Sequence, residues 1–273
     1  MDKNSFDMED LMTPYSLDPN RNKVDPRAGI IPEWVDMDAP FREPLARFAK
    51  TVTDRKNIKL GIEKITKESP EYWGLYNLIT DEQCEIALKM QKRKPKTFEQ
   101  IAALCPEYTK EELQKQLDEM SYHGVIEWNY ENEKHEKQYV LPMYVPGSAE
   151  FGNMNGRVIK EHPEVGPFFE RMSRIPLEGL TQMVPMGGAG VGMHVIPVEK
   201  AIDMESEAID LEKISYWLEY YEGKYAASPC SCRRSRQTFD QGCADDPEGW
   251  CIAVGDMADY VVETQKDGRY ITK

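Results

Sequence analysis

Residues 80–141 read TDEQCEIALKMQKRKPKTFEQIAALCPEYTKEELQKQLDEMSYHGVIEWNYENEKHEKQYVL, and their punctuation predicts the fold of the front half. Thr80 is an N-cap candidate for DEQCEIALKMQKR, where Ile86, Leu88 and Met90 are available to a core and Pro95 supplies the stop. Thr97 with Gln100 makes a capping box for a short helix, Phe98 to Leu104. Thr109 with Glu112 makes another, for EELQKQLDEMSYH, with Leu113, Leu117 and Met120 at helical spacing and Gly124 as the stop. Two β-rich runs follow, Val125 to Tyr130 and Gln138 to Leu141, around the charged turn ENEKHEK.

Helix, short helix, helix and hairpin is the layout of a winged-helix module, here about residues 80–145. Such modules commonly read DNA with the third helix. Between Lys94 and Val145 there are six Lys against ten Asp and Glu, and the third helix carries Glu111, Glu112, Asp118 and Glu119. Phosphate would be repelled by that face, so a docking or structural role is expected and nucleic acid is not. The whole chain of 273 residues carries a formal charge of −14, which points the same way.

Outward from this module the pattern weakens. Residues 1–79 read as an N-terminal arm and helical lead-in, of which residues 1–50 are rich in Asp, Asn and Pro, with a helix from Pro40 onward. Met1 to Pro14 has acids where an export signal needs basic and apolar regions, and no stretch reaches the roughly 20 apolar residues of a membrane span. A cytoplasmic protein with reduced cysteines is therefore expected. Pro142 to Gly156 reads as a joint to the rear half, residues 146–273, and His162 to Gly179 as helical around Phe168, Phe169 and Met172. The glycines of PMGGAGVGMHVIP, Pro185 to Pro197, lack the spacing of a phosphate loop and predict a loop entering a short strand. Asp210 is a candidate cap for LEKISYWLEYYEG, whose stripe of Leu211, Ile214, Trp217, Leu218 and Tyr221 is expected in the core. Pro247 suits the first turn of a final helix carrying Trp250, Cys251, Val254, Ala258 and Val261.

The rear half concentrates its chemistry in four of the chain's six cysteines: Cys230, Cys232, Cys243 and Cys251, spaced C-x-C-x₁₀-C-x₇-C. Cys230 and Cys232 are too close in sequence to grip one ion as zinc ribbons do, with C-x₂₋₄-C. Adjacent thiolates suit a larger object in which each sulfur binds a different iron. On a helix, Cys251 would also gain from outward amides and a positive helix end. Arg233, Arg234 and Arg236 sit where an anionic cluster wants compensating charge, and Gly242 lets the backbone turn beside Cys243. Structural zinc and redox-sensing thiols are the competing readings. Cys84 and Cys105 are read as buried small apolar residues, and His123, His135, His162 and His194 show no ligand spacing. There is no Ser/His/Asp set, no framed carboxylate pair and no phosphate loop, hence no predicted substrate site.

Three stretches carry a family resemblance: KQYVLPMYVPGSAEF (137–151), MHVIPVEKAID (193–203) and PCSCRRSRQTFDQGCADDPEGWCIAVGDMADYVVE (229–263). Over roughly residues 80–270 the chain resembles iron–sulfur proteins of anaerobic bacteria and archaea that pair a winged-helix front with a cluster-binding rear. These stand alone with a ferredoxin-type tail or are fused ahead of FAD- and NAD(P)-dependent oxidoreductase domains. The specific feature is C-x-C-R…G-C…P-x-x-x-C followed by A-D-Y. The resemblance implies one [4Fe-4S] cluster on Cys230, Cys232, Cys243 and Cys251, with [2Fe-2S] or zinc as alternatives. It implies FAD and NAD(P) only on a partner chain or a missing C-terminal region, and as partner a flavoprotein or another iron–sulfur redox subunit. Members usually continue into a helix and further Cys motifs. Here Thr272 looks like the cap of such a helix, so the chain is expected to be a fragment or one subunit of a hetero-complex. The expected fold is α+β and the expected role electron transfer. The alternatives are a redox-responsive winged-helix regulator and a zinc-stabilised docking module.

Overall fold

The computed structural model describes residues 31–33, 35–53, 65–144, 147–170, 172, 214–240 and 250–272. They form a mixture of helices and two small antiparallel sheets. In chain order the front half runs α1 (Glu43–Val52), α2 (Pro70–Trp73), α3 (Asp81–Met90), β1 (Lys96–Thr97), α4 (Phe98–Leu104), α5 (Lys110–Tyr122), β2 (Glu127–Asn129) and β3 (Gln138–Val140). The rear half adds α6 (Ser148–Met154), α7 (Gly156–Glu161), a helical segment over 165–170, α8 (Ile214–Tyr220), β4 (Tyr225–Pro229), α9 (Ser231–Gln237), β5 (Trp250–Val254), α10 (Asp256–Asp259), a π-helical turn (Tyr260–Thr264) and β6 (Arg269–Ile271).

All three expected caps form. The Thr80, Thr97 and Thr109 hydroxyls accept from the N–H groups of Gln83, Gln100 and Glu112, and each of those side chains returns a bond to the cap residue's N–H. The first helix ends earlier than Pro95 implies. It stops at Met90 because Gln91 (φ 66°) and Arg93 (φ 61°) enter the left-handed region, and the Arg93 N–H bonds the Leu141 carbonyl at 2.8 Å. Gly124 (φ 77°) ends α5 as expected, and a Cβ there would lie 2.7 Å from the Gly152 nitrogen. The front sheet has the order β1-β3-β2, with Trp128 opposite Tyr139 and Thr97 opposite Gln138.

Three rear-half expectations are overturned. The Pro142–Gly156 joint contains α6, whose residues are nearly all buried. The final helix over Trp250 to Val261 is instead strand β5, then Gly255 (φ 62°), then the short α10 and the π turn. Pairing decides this: all five residues of β5 register against β4, from Tyr225 opposite Val254 to Pro229 opposite Trp250. Aromatic and β-branched residues suit that pleated surface. The lead-in Lys224 to Ser228 is largely the central strand of a sheet ordered β5-β4-β6. Helix α8 does form, but its stripe is not core: Trp217, Leu218 and Tyr221 are only half-buried. Its rings stack on one another, Trp217 on Tyr221 and Tyr216 on Tyr220. Leu211, Asp210 and the glycine run Pro185 to Pro197 lie outside the described residues.

One continuous apolar cluster joins both halves, running from Leu45 and Trp73 through Leu117 and Phe168 to Ala253 and Val261. Side chains of that size each gain roughly 1.5–3 kcal/mol on full burial. Polar pins reinforce the joint. The Tyr260 hydroxyl faces the carbonyls of Ser121 (2.7 Å) and Ile126 (3.0 Å), and the Trp128 indole N–H donates to Thr264 at 2.7 Å. No helix among the described residues is long and apolar enough to cross a membrane.

Candidate functional site

The sulfur site sits where the central strand ends. β4 runs out at Pro229, Cys230 is the N-cap of α9, Cys232 lies in its first turn, and Cys251 stands on the adjoining strand β5. Helix α9 packs against α6 of the same rear half. Cys230 makes no capping bond with its side chain. Its sulfur is engaged by the other thiols instead. Hydrogen bonds from the Cys232 and Cys251 thiols, aided by the main-chain N–H groups of Arg233 and Cys232, hold Cys230 far below the ordinary thiol range. Cys232 and Cys251 are pushed up in turn, chiefly because each gives its proton toward Cys230 and is partly desolvated. Three thiols thus carry one favoured negative charge among them. Cys232 is exposed, while Cys230 and Cys251 are half-buried.

The fourth expected ligand, Cys243, and the expected turn residue Gly242 lie outside the described residues. Among the described residues no set of three or more His, Cys, Asp or Glu side chains is arranged to hold a single metal ion. Cys251 reaches the site from a strand, not from the first turns of a helix, so no helix end adds charge to it. The arginines divide. Arg234 donates to the Met154 carbonyl (2.8 Å) and pairs with Asp267 (3.0 Å), while Arg236 pairs with the buried Glu170 at 2.6 Å. Both guanidiniums tie α9 to neighbouring elements, and their charge is already balanced there. Arg233 is half-buried beside the pair of cysteines, and its N–H faces Cys230.

Two groups escaped the sequence reading. The Ser231 hydroxyl approaches the Cys232 sulfur. Ser228 is 1% exposed and its Oγ has no hydrogen-bond partner among the described residues, a condition that costs roughly 1–3 kcal/mol when nothing compensates it. Ser228 is the direct cross-strand neighbour of Cys251. Opposed residues of an antiparallel pair project to the same face, so hydroxyl and sulfur share one side of the sheet. The signal for it was the two-residue step from Ser228 to Cys230, legible only once 225–229 is known to be a strand.

Cys84 and Cys105 are buried on or beside helices, as expected, and desolvation pushes Cys84 up to about 12. His123 and His162 meet edge-on at 5.5 Å, and the His123 Nδ1–H donates to the Leu78 carbonyl at 3.0 Å. A cleft of about 250 Å³ lined by Val35, Asp36, Lys67, Tyr72 and Tyr76 contains no cysteine and plays no part in this site. No family model, no curated protein and no solved structure matches the chain.

Proposed function

We propose that this protein is an iron–sulfur electron-transfer component, one subunit or front portion of a flavin- and NAD(P)-linked oxidoreductase. Cys230, Cys232, Cys243 and Cys251 would hold a [4Fe-4S] cluster, which supplies one-electron transfer when bound. The observation carrying this reading is the approach of Cys232 and Cys251 to a Cys230 sulfur already favoured as thiolate. The donor set fits such a group: soft sulfur ligands, main-chain N–H groups facing one of them, a nearby hydroxyl on another, and alongside a buried hydroxyl without a partner among the described residues. The chain's own part is to bring distant sulfurs together, to limit water on the sheet side, and to fix the group's distance from a partner.

The front module is a winged helix in this reading, from its helix–strand–helix–helix–hairpin order and its β1-β3-β2 sheet. It docks a protein partner and leaves DNA alone. Glu111, Glu112, Asp118 and Glu119 of α5 are all exposed, where phosphate contact requires positive charge.

Purification without oxygen followed by iron, acid-labile sulfide and zinc analysis tests the proposal. Iron and sulfide in equal amounts with a bleachable brown colour are expected, and Cys232→Ala should lose both. Zinc without sulfide would favour the docking module. A salt-sensitive shift of duplex DNA would favour a redox-responsive regulator.

A further inference from the structure

If a cluster occupies the cysteine site as proposed above, Ser228 stands beside it on strand β4. Its hydroxyl is sealed from solvent and lacks a partner among the described residues, although the strand around it is built of small residues such as Ala226 and Ala227. Alanine would fit this position without leaving a buried donor unused. A hydroxyl that is costly in the protein alone becomes useful if something that accepts hydrogen bonds lies beside it. Sulfur is the acceptor that topology brings to the same face: Cys251 opposes Ser228 across β4 and β5, and Cys230 follows two residues later along the chain.

We propose that Ser228 is a positioning residue for the cysteine-bound group, donating an O–H···S hydrogen bond on the sheet side of the site. Such a bond withdraws charge from sulfur, and the benefit is larger in the reduced, more negative state. It therefore raises the reduction potential. Ser231 takes the matching place on the helix side, where its hydroxyl already approaches the Cys232 sulfur. The two serines thus flank the cysteine pair from opposite elements.

The full chain reconstituted with iron and sulfide under nitrogen provides the test, in wild type, Ser228→Ala, Ser228→Thr and Ser228→Val. Iron and sulfide contents are measured first, then the midpoint potential, then the Fe–S stretching bands by resonance Raman in H₂O and D₂O. Ser228→Ala is expected to retain wild-type iron and sulfide, to have a lower potential, and to lose part of the deuterium shift. Thr and Val are nearly equal in shape and share any packing cost. Ser228→Thr should therefore keep the higher potential and Ser228→Val the lower one, even if Ser228→Ala folds poorly. Equal potentials and equal deuterium shifts for Thr and Val at full iron content would overturn the role of Ser228 while leaving the cluster standing. A folded wild type that takes up no iron would overturn the cluster reading and this inference together.

Discussion

Cys84 and Cys230 carry the same functional group in opposite surroundings. Desolvation is the chief cause that raises Cys84 to about 12, whereas neighbouring thiols and N–H groups favour the Cys230 thiolate. An ordinary thiol, near 8.5, is almost wholly protonated at about pH 6. Iodoacetamide applied to metal-free protein at that pH is expected to alkylate Cys230 ahead of Cys84, Cys105, Cys232 and Cys251, as peptide mass mapping would read; equal labelling of Cys84 would refute the shared-charge geometry. His123 offers a second pH probe. The Leu78 carbonyl can only accept, so Nδ1 bears the proton, and burial holds the imidazolium form below its usual range against the pull of Glu119. The unfolded chain takes up that proton near about pH 6.5 and the folded chain only at lower pH. Between the two values the unfolded state binds more protons, so His123 makes stability fall as pH drops through that window. Denaturation midpoints recorded from about pH 7 to about pH 5 should fall less steeply for His123→Gln than for wild type. An unchanged slope would mean that His123 titrates as if exposed.

The helices of the front half were legible because their instructions are local. A threonine three residues before Gln or Glu specifies a helix start without reference to anything distant, and all three such starts form. Their worth should differ with burial. Gln83 of the first box also donates to Gln116 and Glu119, joining α3 to α5, whereas the second box is exposed. Thr80→Ala is therefore expected to cost about 1–2 kcal/mol and Thr97→Ala about 0.5–1 kcal/mol in urea denaturation. Gly124→Ala should cost more than either, at least about 2 kcal/mol, since it combines a left-handed φ with backbone 2.7 Å from the new methyl. A ranking with Thr97 above Gly124 would contradict the packing of α5 on α6. The strand β5 was illegible for the converse reason. Trp250, Cys251 and Val254 recur at a spacing that suits a helix, and only pairing with β4 forces alternation. The same applies to α6, whose Gly, Asn and Ser content reads as a linker until the core covers it. Of the candidate site, the cysteine set was readable from spacing, while Ser228 depended on strand register.

At the scale of the molecule, the question is whether the acidic front module and the sulfur sheet behave as one body. Their charges give no reason for cohesion: the chain carries −14 overall, and like charge favours separation. Cohesion comes from the shared apolar cluster and from Tyr260, whose ring stands in the joint against Trp128 and Phe151. Its hydroxyl lies between two carbonyls that close the end of α5 and the start of β2, so one side chain reports on both halves. The Asp256 carboxylate adds a second pin by accepting from the Tyr130 N–H at 2.8 Å. If the halves fold together, Tyr260→Phe removes the shared donor from the Ile126 carbonyl and from the Ser121 carbonyl, which keeps the Gly124 N–H, and should lower stability by about 1–3 kcal/mol. The loss should appear as one displaced transition by both tryptophan fluorescence and circular dichroism, and amides of α5 and β4 should lose protection from hydrogen exchange by the same factor. Separate transitions, or loss of protection confined to β4–β6, would mean that the sulfur sheet unfolds independently. A cluster in that sheet would then be positioned by its own ligands alone, and a partner docked on the front helices could not hold it at a fixed distance.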